Sequence, residues 1–95
     1  MANAIKIFEH DLNYEDGSFV RMKIWKVPQP VPPSDHDLKY SLFYGRRGDR
    51  IVGYDNERGK GDHKHILDQE YDYEFIDIET LIADFIKDVE AIRNE

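Results

Sequence analysis

Leu38-Lys39-Tyr40-Ser41-Leu42-Phe43-Tyr44-Gly45-Arg46-Arg47-Gly48-Asp49-Arg50-Ile51-Val52-Gly53-Tyr54-Asp55 decides the fold. Leu38, Tyr40, Leu42 and Tyr44 recur at every second residue, with Lys39, Ser41 and Phe43 between them. That is the period of a strand, not of a helix. Arg46-Arg47-Gly48-Asp49 reads as a tight turn and Arg50 to Asp55 as the returning arm, so the segment is predicted to be a β-hairpin. Gly53 inside that arm marks a bulge or the close approach of another group.

Upstream, Ala4 to Phe8 is β-prone, and the polar His10 to Gly17 ends in a Glu-Asp-Gly turn signal. Ser18 to Val27 alternates, with Val20, Met22 and Ile24 on one face and Arg21, Lys23 and Trp25 on the other. This predicts a half-buried antiparallel strand paired with the first. Pro28, Pro30, Pro32 and Pro33 then impose a stiff, extended connection. Downstream, His63 to Leu67 reads as a short strand and Tyr71 to Phe75 as another. The last element is a helix. Ile78, Leu81, Ile82, Phe85, Val89 and Ile92 form one apolar stripe, Asp77 suits the N-cap, and Ile76 and Leu81 suit a hydrophobic staple. Glu79 and Arg93 complement the helix dipole. The predicted architecture is α+β: a single domain over 1–95, with an antiparallel sheet of about five strands and one C-terminal amphipathic helix packed on one face.

The chain has 95 residues, no cysteine, 40% hydrophobic residues and a net charge of −7. The length suits one modest core. The missing cysteines exclude disulfide staples and thiolate chemistry. With no long apolar run and no cationic leader pattern, the expectation is a cytoplasmic protein without membrane contact. The charge argues against generic nucleic-acid binding, but it is unevenly spread. Residues 46–65 hold six Lys/Arg against four Asp/Glu, whereas residues 68–95 hold ten acids and only Lys87 and Arg93 as bases. A locally basic stretch sits on an acidic body.

That stretch is Gly53-Tyr54-Asp55-Asn56-Glu57-Arg58-Gly59-Lys60-Gly61-Asp62-His63-Lys64-His65. No hydrophobic core needs this mixture, and it reads as a shaped loop between a strand and a helix. Metal-free RNA cleavage needs a base for the ribose 2′-OH, an acid for the leaving 5′-oxygen, and cations for the phosphate. His63 and His65 suit the proton roles because imidazole titrates near neutrality. Asp55 suits the orientation of a ring, and Arg58, Lys60 and Lys64 suit phosphate. Asn56 and Tyr54 are candidate substrate contacts, while Gly59, Gly61 and Asp62 shape the loop. No metal and no cofactor is expected. Set against this, Tyr54-Asp55-Asn56 can simply end a strand in an Asx turn, the cations can form weak surface bridges, and either histidine can be packed.

The string YDNERGKGDHKH, the segments IWKVPQPVPPS and LKYSLFYG, and the helix pattern I-x-x-L-I-A-D-F resemble the TumE-like toxins of prokaryotic type II toxin–antitoxin pairs. The resemblance covers nearly the whole chain. It implies a small cytoplasmic toxin neutralised by direct binding of a helix-turn-helix antitoxin, and it assigns no catalytic residue. Three readings follow. One is a metal-independent ribonuclease acting on RNA. Another is a binding module without chemistry. The third is a metal-dependent hydrolase built on His63-x-His65.

Overall fold

The computed structural model describes residues 3–94. Six strands pair in sequence order: β1 (Ile5–Asn13), β2 (Phe19–Lys26), β3 (Leu38–Arg46), β4 (Asp49–Glu57), β5 (Gly61–Ile66) and β6 (Gln69–Asp72), all antiparallel. One helix, α1 (Ile78–Arg93), follows. The α+β expectation holds, with six strands in place of about five. The 53–65 stretch is not a loop leading to a helix. It is the far end of β4, a short turn and most of β5.

The local chemistry explains the turns. At the β3–β4 hairpin Arg47 and Gly48 both take positive φ (53° and 84°), as a two-residue turn matched to strand twist requires. The β5–β6 turn places Leu67 at φ 56° with no glycine to announce it. That is why β6 begins two residues before the expected Tyr71 and ends at Asp72. β1 also runs further than its apolar start suggests, through the polar His10 to Asn13.

One face of the sheet is the core. Val20, Met22, Ile24, Tyr40, Leu42, Tyr44, Val52 and Tyr54 are buried there and meet Leu81, Phe85 and Val89 of α1. Register enforces the match, because Met22 opposes Leu42 and Leu42 opposes Tyr54. Asp77 caps the helix by accepting the Thr80 N–H (2.7 Å), whereas Ile76 is 67% exposed and makes no buried staple. The helix is also pinned by polar contacts. Tyr54 OH donates to Asp88, Tyr73 OH donates to Asp84 (2.7 Å), and Arg93 lies 3.5 Å over the Tyr14 ring while donating to Ser18 Oγ (2.9 Å). The opposite face of the sheet carries no helix.

Candidate functional site

Strand alternation divides the 53–65 cluster between two faces. Ser41, Asp55, His63 and Asp72 oppose one another in one row across β3–β6, and Phe43, Gly53, His65 and Glu70 in the next. Both rows lie on the open face. Tyr54, Asn56, Asp62 and Lys64 turn to the helix side, and Arg58, Gly59 and Lys60 make the β4–β5 turn.

On the open face the two imidazoles stand 5.1 Å apart, edge to face. They are not equivalent. His63 is 3% exposed, with Nδ1 3.0 Å from the Gly61 carbonyl and Nε2 2.7 Å from Asp55 Oδ1. A neutral ring owns one N–H, so it can donate to only one of these two acceptors. The Asp55 contact lacks the alignment of a good hydrogen bond, and neither atom has another partner among the described residues. His65 is the more open ring. Its Nε2 lies 3.2 Å from Glu70 Oε2, and Lys60 Nζ donates to the same oxygen (3.3 Å). Burial, and then the Arg50 guanidinium, hold His65 below its usual value of 6.5. Arg50 is there because Gly53 has no side chain; a Cβ at Gly53 would come within 2.6 Å of Arg50 Cδ. Gly53 thus marks a close approach, and the bulge falls elsewhere, between Tyr44 and Gly45.

The other half of the cluster is structural. Asn56 is fully buried. Its Oδ1 accepts the Tyr40 N–H (2.9 Å) and its Nδ2 donates to the Leu38 carbonyl (2.7 Å), tying the start of β3 to the end of β4. Asp62 receives Ser34 Oγ, His36 Nε2 (2.7 Å) and Tyr40 OH (2.8 Å). Burial pushes its carboxyl up, but these bonds outweigh burial and hold it below the ordinary range. His36 and Ser34 were not among the sequence candidates. They sit in the aperiodic proline segment, where no spacing connects them to Asp62 26 or 28 residues later. Lys64 donates to Asp88 on the helix (3.4 Å) and cannot share phosphate with the histidines from that side. Arg58 faces the proline segment, lining an open concavity of about 490 Å³ with Val27–Pro32.

Two donor sets could hold a metal: His63, His65 and Glu70, or Asp55, Glu57 and His63. Both draw on His63, whose ring nitrogens already face the Gly61 carbonyl and Asp55, and in the first set the Lys60 ammonium occupies Glu70. The donor chemistry therefore fits acid–base work better than a dication.

The family model described as Toxin TumE matches residues 4–93. The chain belongs to the TumE toxin family. No curated protein and no solved structure matches it. Membership makes this TumE-family chain a toxin and implies an antitoxin partner. Among the described residues, no helix is long and apolar enough to cross a membrane.

Proposed function

We propose that this toxin is a metal-independent ribonuclease of a type II pair, neutralised by direct binding of a helix-turn-helix antitoxin. The observation that carries the reading is the open-face row around His65. A partly buried imidazole held below 6.5 stands beside Arg50, Glu70, Lys60 and a second imidazole. Glu70 biases the Nε2–H tautomer and leaves the lone pair on Nδ1. His65 takes the proton from the ribose 2′-OH, the 2′-oxygen attacks phosphorus, and the bond from phosphorus to the 5′-oxygen breaks. The Lys60 ammonium returns a proton to that leaving oxygen. Arg50 holds the phosphate charge that develops in between. His63, buried beside His65, and Asp55, which contacts it, act as positioning residues: their contact fixes the wall against which His65 rests.

End-labelled RNA incubated with pure protein, with and without EDTA, tests this. Cleavage by the natural protein persists in EDTA, and the variant carrying His63→Ala and His65→Ala leaves RNA whole while keeping its circular dichroism. RNA left whole by the natural protein moves the reading to a binding module without chemistry. Activity lost in EDTA and restored by a divalent ion moves it to the metal-dependent alternative, with His63, His65 and Glu70 as the donors that would hold the ion.

A further inference from the structure

The open face continues past His65 into a surface that the cleavage step does not use. Phe19 and Phe43 lie with ring centroids 5.6 Å apart and planes 24° from parallel, and the Arg21 guanidinium sits 4.9 Å over Phe19. With Lys23 and Ser41 they line a shallow concavity of about 270 Å³. Gly45 leaves the Phe43 ring room; a Cβ there would come within 2.6 Å of it. In a chain of net charge −7, β2 and β3 contain five Lys/Arg and no Asp or Glu. Acids bound this strip without entering it. Glu9 on β1 lies 3.9 Å from Lys23, Asp11 opposes Arg21, and Asp55 on β4 opposes Ser41. Register joins the strip to the candidate site, because Phe43 opposes Gly53 and Gly53 opposes His65, two strand spacings or about 10 Å away.

We infer that the Phe19–Phe43 pair, with Arg21 and Lys23, is a single-stranded RNA subsite that stacks a base beside the scissile bond and leads the backbone toward His65. Stacked aromatics with interleaved cations suit unpaired bases, whose π-faces are free, and do not suit a duplex, whose faces are hidden. No helix covers this face, so the strand can cross β3 and β4 toward His65. This inference rests on the ribonuclease reading for its orientation, though binding can be measured apart from cleavage.

The test uses a fluorescein-labelled, fully 2′-O-methylated oligoribonucleotide, which offers the base faces and phosphates but no 2′-OH to react. Fluorescence anisotropy gives affinity as salt is varied. Phe43→Ala weakens binding by about tenfold or more, and Phe43→Tyr, which keeps the ring, stays within about twofold. R21Q/K23Q, in side chains outside the core, weakens binding and flattens the salt dependence by roughly 0.7 in slope per cation removed. If F43A and R21Q/K23Q both bind like the natural protein, the subsite is overturned, whether the face is empty or holds a protein partner. The two readings fail separately. Binding that responds to these substitutions while natural RNA stays whole keeps the subsite and removes the ribonuclease. Cleavage that persists unchanged in F43A, with affinity unmoved, does the reverse.

Discussion

A single carbon decides much of the chemistry at the residue scale. Gly53 leaves space for Arg50 to lie beside His65, and Arg50 is the second cause, after burial, of that ring's lowered value. A nuclear magnetic resonance titration is expected to place His65 below 6.5, and Arg50→Gln is expected to move it upward. The sign for stability follows by linkage. The unfolded chain binds this proton more readily than the folded one, so the contribution is complete above 6.5 and is lost as pH falls from there through the folded value. Urea midpoints should therefore fall across that window, and less so in His65→Gln. Asn56 makes a contrasting prediction. Replacing it with alanine strands the Tyr40 N–H and the Leu38 carbonyl. Each buried unsatisfied group costs about 1–3 kcal/mol, so Asn56→Ala should lose roughly 2–6 kcal/mol in denaturant unfolding. A variant that kept full stability would show that Asn56 is not the tie between β3 and β4.

The elements were legible wherever period and turn chemistry agreed. Alternation in Leu38–Tyr44 and Val20–Ile24, the Arg47-Gly48 turn, and the apolar stripe from Ile78 to Ile92 each pointed to one structure, and each formed. What escaped was which side of a strand each polar residue serves. Asp55, His63 and His65 share a face while Tyr54, Asn56, Asp62 and Lys64 share the other, and alternation separates them only once 53–65 is known to be strand. Polar composition argued for a loop, and tertiary context overrode it: α1 supplies Asp84 and Asp88 as partners for Tyr73 and Tyr54, so polar side chains can be buried beneath it. Ser34 and His36 were hidden because an extended proline segment has no period that reveals what it faces. The helix itself should be indispensable. Phe85 is fully buried and meets Tyr54 edge to face at 5.6 Å. Phe85→Ala is expected to cost about 3–5 kcal/mol by thermal or urea unfolding. A small loss would mean that α1 is not what covers the core face.

Taken whole, the molecule is a one-sided sheet: a helix seals one face and the other displays histidines, cations and aromatic rings. The chain carries −7 overall and its acidic remainder repels polyanions, so association should be confined to β2–β5 of the open face and should weaken steeply with salt. An antitoxin that neutralises this TumE-family toxin by blocking its substrate would need to cover that same face, and competition between antitoxin and methylated RNA would reveal it. The central claim is that His65 removes a 2′-proton and the face breaks RNA without a metal. The most direct measurement is end-group analysis of products from a DNA strand carrying one ribonucleotide, digested in EDTA. The account predicts a single cut after the ribonucleotide, a 2′,3′-cyclic phosphate and a 5′-hydroxyl, and no cut with His65→Ala. Cutting of the all-DNA strand, 5′-phosphate ends, or full activity in His65→Ala would contradict it.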